Sequence, residues 1–449
     1  MQEILFEYEM HPTTWVYISS LLIIGIYFKF HRLFSVRNLD LLGLLTFSPG
    51  LLLIAHGQEQ WGYNWLFVVS GLFLVRLLID PLMVRRPLLE PNLSASGLTF
   101  TGVALLVFLT ANVLTVQISE SDLEGARRWE QILARKAAPE EQALAHHGPG
   151  YPLFYAFADL SRRAIAPGDG SQPEGGLVLQ RATTRATAVL GHLAVVLGIV
   201  LIGYRHFDNV QTGVAMASLY LLLPYTTQMT GQVDHVIPAA LLVWAVASYR
   251  RPVVSGVLVG MAAGVIYYPI FLLPLWCSYY WRRGLVRFVA AVVVVLLFLT
   301  ASLAFTSESF AAFVDNVQLT FGWTQLSLSS ADGFWEFHGQ AYRIPVMAAF
   351  AGLSASLALW PAQKNLGTLM GLSAAVMLAT QFWHAQQGGV YMGWYLPLLV
   401  LTIFRPNLED RVAATAVSDS WLIPFKRNRI ARLRRRVLRR AAAQARRRH

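Results

Sequence analysis

Residues 231–284 read GQVDHVIPAALLVWAVASYRRPVVSGVLVGMAAGVIYYPIFLLPLWCSYYWRRG. Three apolar runs, 236–249, 252–266 and 268–281, lie within them, each shorter than the roughly 20 residues that cross a bilayer squarely. Arg250-Arg251-Pro252 and Tyr267-Tyr268-Pro269 separate them, and a proline inside a helical pattern stops or kinks it. Short, proline-interrupted apolar helices occur in membranes where backbone is buried in protein or lines a cavity. This stretch therefore predicts the middle of a helical membrane bundle, with the polar Gly231–His235 turn at the end of a crossing.

The rest of the chain has the same character. Of 449 residues, 55% are hydrophobic and 14% charged, against roughly 25% charged in a soluble domain. The mean hydropathy is +0.48. A water-soluble enzyme is excluded, and so is a disordered or collagen-like chain, because Gly and Pro are near average usage. Further apolar stretches lie at 13–29, 39–56, 61–80, 98–117, 186–204, 210–228, 286–305, 343–361, 366–384 and 390–405. The expected fold is all-α, a polytopic transmembrane bundle of about thirteen helices. No internal repeat is evident.

The formal charge of +11 belongs to one tail: Lys426–His449 carries 12 Lys or Arg and no acid, leaving the remainder close to neutral. Such a tail reads as a cytoplasmic topology anchor on anionic lipid head groups, and no nucleic-acid partner is expected. Lys29, Arg32, Arg37, Arg85, Arg86, Arg205, Arg250, Arg251, Arg282, Arg283, Arg287 and Lys364 fall in short loops on the side of the tail. With an odd number of crossings the N-terminus lies outside, and its acidic start, MQEILFEYEMHP, lacks the basic region of a cleaved signal peptide. The single cysteine, Cys277, excludes an internal disulfide. Arginine-rich usage with four lysines points to a high-GC bacterium, hence to its cytoplasmic membrane.

Two expected outer loops, 118–185 and 306–342, are too long to be connectors. The first opens with Ser121-Asp122-Leu123-Glu124, the pattern of a capping box, followed by a charged helix to about Lys136 whose Trp129, Ile132 and Leu133 can lie on the membrane surface. A second amphipathic segment starts at Tyr151-Pro152, and the intervening AHHGPG and later APGDGSQPEGG read as loop, His146-His147 included.

No phosphate loop, dinucleotide fingerprint, CxxC or HExxH is present in the sequence. The residues able to carry chemistry are polar groups at one end of the bundle. Asp122 can act as a general base on a hydroxyl held at the membrane surface, or, with Glu120 and Glu124, simply complement its own helix dipole. Asp234 and His235, preceded by Tyr225, Thr226, Thr227, Gln228 and Gln232, form either a polar site or a wet helix turn. They are adjacent on a helix and diverge, so no metal is expected there. Trp335, Glu336, His338, Gln340 and Arg343 combine aromatic surface with cations able to hold a phosphate, Arg343 breaking the positive-inside pattern. His384, Gln386, Gln387, Tyr391, Trp394 and Tyr395 form a similar outward cluster.

The order of these features, from the acids of the first loop through Gly231–Gly284 to WHAQQGGVYMGWYLPLL, resembles the GT-C superfamily of membrane glycosyltransferases, and within it glycosyltransferase family 87. The resemblance covers roughly residues 98–405, with 1–97 a three-helix segment outside it and 406–449 the basic tail. It implies a polyprenyl-phosphate sugar donor, mannose foremost, and a glycan or lipid acceptor. It also implies Asp122 as base, with Tyr151-Pro152-Leu153-Phe154 similar to a YPP segment of the family's first loop, and Gln232, Asp234 and His235 shaping the pocket. Glu124, His338 and His384 complete the expected substrate-binding set. Two departures stand out: Tyr267-Tyr268-Pro269 replaces the family's Lys before the proline, and Asp234 stands where an Asn is usual. The phosphate must then meet Arg343, Arg127 or Arg128. Arginine suffices for a monophosphate leaving group, so no metal or cofactor is expected, and attack assisted by one base implies inversion.

The expectation is thus a polyprenyl-phosphate-dependent hexosyltransferase. A lipid or solute transporter without bond chemistry is the alternative, and a non-catalytic scaffold a third reading. A lateral apolar groove leading to Asp122 would favour the enzyme; Asp122 facing bulk water would favour the scaffold.

Overall fold

The computed structural model describes residues 11–83, 90–118, 120–134, 148–156, 158–160, 173–281, 283–304, 307, 309–320 and 331–408. The basic tail, Arg85, Arg86, Arg282 and the His146-His147 loop lie outside the described residues. The helices are α1 (Pro12–Tyr27), α2 (Val36–Leu45), α3 (Phe47–Ala55), α4 (Glu59–Ile79), α5 (Ala95–Thr115), α6 (Glu120–Ala134), α7 (Pro173–His206), α8 (Val210–Leu222), α9 (Pro224–Gln228) and α10 (Val233–Ala247). They continue as α11 (Pro252–Val265), α12 (Leu273–Tyr279), α13 (Leu285–Leu303), α14 (Phe310–Thr320), α15 (Phe334–Phe337), α16 (Arg343–Ser356), α17 (Leu366–Thr380) and α18 (Leu396–Phe404). Every apolar stretch read from the sequence contains a helix. Among the described residues five spans are long and apolar enough to cross a membrane: Val36–Ala55, Glu59–Leu82, Ala95–Thr115, Leu177–His206 and Leu285–Leu303. The chain is a polytopic helical membrane protein.

Three expected helices are divided. Stretch 210–228 breaks at Leu223, whose φ of −59° and ψ of 131° are the extended backbone that a following proline imposes. Stretch 39–56 breaks at Thr46, whose carbonyl turns out to accept the Trp65 indole N–H at 2.6 Å. Stretch 268–281 begins as a 3₁₀ turn, Tyr268–Leu272, because Pro269 removes an amide donor there.

Packing follows small residues. Gly256, Gly260 and Gly264 form one stripe along α11, and α13 lies so close that a Cβ on Gly256 would stand 2.5 Å from the Phe288 carbonyl oxygen. α7 holds α8 and α10 on its sides, α10 packs on α11, and α5 closes against α8. Pro238, within α10, cannot donate to the carbonyl four residues back, that of Asp234. The Trp394 indole N–H fills that place at 3.0 Å, so the last hairpin is pinned to the start of α10.

Residues 11–83 are packed into the same bundle: α4 lies on α17, and α1 touches α8 and α9. At the end of α4 away from the Gly231–His235 turn, Arg76 reaches Asp40 at 2.9 Å and Asp80 at 3.0 Å, and Asp80 also accepts from Arg405 at 2.8 Å. Asp80 is fully buried, and removing one partner of a buried ionic network strands the other charges. Asp80→Ala is expected to cost about 3–5 kcal/mol, read as a lowered melting temperature in detergent. Asp40→Ala, which leaves the Asp80–Arg405 pair intact, should cost less.

Candidate functional site

Asp122 sits in the first turn of α6, and its carboxylate reaches beyond that helix. Oδ1 accepts the Tyr151 hydroxyl at 2.7 Å and the backbone N–H of Val233, the first residue of α10, at 3.0 Å. The Tyr155 hydroxyl donates to Tyr151 at 2.7 Å, making a relay of two phenols behind the acid. Asp122 is fully buried. A carboxylate can stay ionised in such a place only with donors and favourable dipoles around it, and the N-terminus of α10 supplies one. Burial first, and the Asp122 charge second, hold the Tyr151 phenol well above its usual range, so it remains a donor.

Glycines make this meeting possible. A Cβ on Gly125 would lie 2.6 Å from the Tyr151 ring, so only glycine lets α6 rest on the tyrosine pair. Gly148 N–H donates to the Val265 carbonyl at 2.7 Å and Gly150 N–H to that of Gly264 at 2.8 Å, docking the loop on the end of α11 immediately before Tyr151.

On the α10 side, Asp234 and His235 are both buried, with Asp234 Oδ1 3.9 Å from His235 Nε2. His235 Nδ1 is 2.7 Å from the Tyr225 hydroxyl, whose oxygen accepts the Gly393 N–H at 2.7 Å. Buried Gln232 Oε1 and Gln228 Nε2 find no hydrogen-bond partner among the described residues. Two amides turned inward at this turn suit a polar ligand.

An aromatic floor extends from here. His235 lies 4.8 Å, ring to ring, from Tyr391, Tyr391 4.8 Å from His384, and His384 5.0 Å from Tyr268. Tyr268 packs on Trp383, and the Trp383 carbonyl accepts the Arg343 Nε–H at 2.7 Å. Arg343 is fully buried and within electrostatic range of the Tyr267 and Tyr268 hydroxyls, so it stands beside the Tyr-Tyr-Pro break from a different helix. Tyr391, in turn, feels the charges of Asp234 and Asp122.

Not every expected residue joins this cluster. Glu124 turns to Arg127 at 3.8 Å and Arg128 at 3.4 Å, and α6 starts at Glu120 rather than after Ser121. Arg127 is half-buried and also near Glu120, at 3.9 Å. His338 bonds the Phe334 carbonyl at 2.8 Å and stacks on that ring. Trp129 is buried with its indole on Asp159 at 3.1 Å, and Trp335 is buried with its indole on the Phe382 carbonyl at 3.0 Å, so neither forms an interfacial belt. His384, Trp394 and Tyr395 are likewise buried. Among the described residues no three His, Cys, Asp or Glu side chains gather as a metal-ligand set. Sequence reading missed Tyr155; its spacing of four from Tyr151, one helical turn, is the signal that could have found it.

An apolar groove of about 220 Å³ runs beside this cluster, lined by Phe154, Gly191 and Ala194 of α7, Ile237 and Trp244 of α10, and Leu258 of α11. Its two polar liners are already satisfied: the Thr187 hydroxyl donates to Thr183 at 2.8 Å and the Trp244 indole to the Ala194 carbonyl at 2.9 Å. The groove surface is thus almost wholly apolar. Phe154, one of its lining residues, follows Tyr151 by three residues.

The relay makes a graded prediction. Tyr151→Phe removes a donor from a buried carboxylate and should cost about 1.5–3 kcal/mol, Tyr155→Phe about 0.5–1.5. Melting temperatures in detergent would show the order, and equal losses would dissolve it.

No curated protein and no solved structure matches the chain. The family model of glycosyltransferase family 87 matches residues 176–402, half of the chain, from the start of α7 to the last helix. The chain belongs to glycosyltransferase family 87, and its activity is that of a glycosyltransferase.

Proposed function

We propose that the protein transfers a hexose, mannose first, from a polyprenyl-phosphate donor to a glycan or lipid acceptor at the outer face of a bacterial cytoplasmic membrane, with inversion. The N-terminus then lies outside, and the basic tail Lys426–His449 meets anionic lipid on the cytoplasmic side. The observation that carries this reading is the buried Asp122 carboxylate near an almost wholly apolar groove, with buried Arg343 across the aromatic floor. A donor made of an isoprenoid tail, a phosphate and a sugar presents apolar surface, anion and hydroxyls in that order, which is the chemistry these three features accept.

In this reaction the acceptor oxygen attacks the anomeric carbon as the bond from that carbon to the phosphate oxygen breaks. The acceptor proton passes to Asp122, and the polyprenyl phosphate leaves with its charge on Arg343. The Tyr151 hydroxyl, 2.7 Å from Asp122, makes the contact an acceptor hydroxyl would make, so the acceptor enters by displacing it. Gln232, Asp234, His235 and His384 hold the sugar, whose C–H face suits Tyr391. Glu124, Arg127, Arg128 and His338, expected in the substrate-binding set, pair among themselves or with Glu120 and Phe334 and have no part in this step.

The test is label transfer from synthetic polyprenyl-phosphate mannose and glucose in proteoliposomes. Asp122→Asn keeps an oxygen acceptor for Val233 and Tyr151 and so should fold, while kcat falls about 10²–10⁴-fold. Arg343→Gln should raise the donor KM by about tenfold. No transfer from any lipid-linked donor would move the reading to transport, whereas an active Asp122→Asn would remove Asp122 from the chemistry.

A further inference from the structure

α4 lies outside the region matched to the family, yet it meets the site directly. The two loops that carry the phosphate-side residues, 331–343 and 381–394, are joined by few backbone bonds. Asp332 N–H donates to the Ala385 carbonyl at 2.8 Å and Gly333 bridges to Gly388, while the side chains of Trp335 and Arg343 hold the Phe382 and Trp383 carbonyls. Irregular loops tied this sparsely need side-chain packing to keep one register. α4 supplies it. The Phe67 ring stacks on Phe334 at 4.0 Å and meets Phe382 edge-on at 4.6 Å, so one side chain touches both loops. The stack continues through Phe334 to His338 at 4.1 Å. One turn earlier, the Tyr63 ring lies under Gly333, where a Cβ would stand 3.0 Å from it, and Leu66 lies under Gly389.

We propose that Phe67, seconded by Tyr63, is a positioning residue that sets the register of the two loops and through it the place of Arg343, Trp383 and His384. The N-terminal helices are then part of the donor-binding apparatus. This rests on the reading of Arg343 as the phosphate-side cation, but the clamp itself is physical and can be read without turnover.

The experiment compares Phe67→Ala, Phe67→Tyr and Phe73→Leu in the full-length protein. Phe73, on the same helix, is buried against Phe47 at 5.4 Å and serves as the control for general weakening of α4. In proteoliposomes Phe67→Ala should raise the donor KM on the order of tenfold with kcat within about twofold, because misplacing a binding group by an ångström costs this much or more. Phe67→Tyr keeps the ring and should restore wild-type KM. Phe73→Leu should lower the melting temperature and leave KM alone. Hydrogen exchange gives the second readout: amides of 332–336 and 382–389 should exchange faster in Phe67→Ala and not in Phe73→Leu. A KM that moves equally in both variants, or exchange that rises along all of α4 rather than in the loops, overturns the proposal. If the wild type transfers from no lipid-linked donor, the functional reading fails, and the exchange pattern alone then supports or sinks the clamp.

Discussion

The contact between the Asp122 carboxylate and the Val233 amide is the constraint on which the site depends. It spans 3.0 Å between a loop helix and a helix of the bundle core, with the acid fully enclosed. An ionised carboxylate in that position would be prohibitively costly without the Tyr151 hydroxyl and the open amides of α10. Each of those groups is in turn placed by something else: Tyr151 by the Gly148 and Gly150 amides on the end of α11, α10 by Trp394 on the carbonyl that Pro238 leaves behind. Loosening any one of them raises the cost of burying the charge, which is why distant parts of the chain converge on this turn.

α4 connects that end to the other. At one end Arg76 joins Asp40 and Asp80, and Asp80 holds Arg405 just beyond α18. At the opposite end Tyr63 and Phe67 touch the loops around Gly333 and Phe382. A helix fixed by charge at one end and by rings at the other behaves as a strut, and in a low-dielectric surrounding the ionic end gains most from being complete.

Much of the fold was legible because apolar runs and prolines act locally. Arg-Arg-Pro and Tyr-Tyr-Pro divide 231–284 where the structure divides it, and Asp122, Asp234 and Arg343 were each singled out from residue type and place. What was not legible is pairing. Asp122 reads as an acid in the first turn of its own helix, and nothing in SDLEGARR says that it faces the start of a helix more than a hundred residues away. Leu223-Pro224 did carry a local signal for a break, since a residue before proline avoids helical backbone. The burial of Trp129 and Trp335 rests on partners, Asp159 and the Phe382 carbonyl, that sequence distance hides.

In the proposed reaction, the charge that a lysine before the proline would supply comes from another helix. Where the family resemblance calls for a cation before the proline of the broken pair, Tyr267 and Tyr268 stand with ring centroids 4.1 Å apart, and Trp383 packs against them. Two phenols and an indole fill the space that a lysine stem would need. Arg343 reaches the same place from the first turn of α16 and bonds the Trp383 carbonyl. A guanidinium suits that arrangement better than an ammonium, because its planar fork can bond a carbonyl through one N–H while others face an anion, and it sheds water more readily. In the proposed reaction the exchange of lysine for tyrosine therefore moves the charge to α16, and the loop register that places Arg343 becomes part of donor recognition.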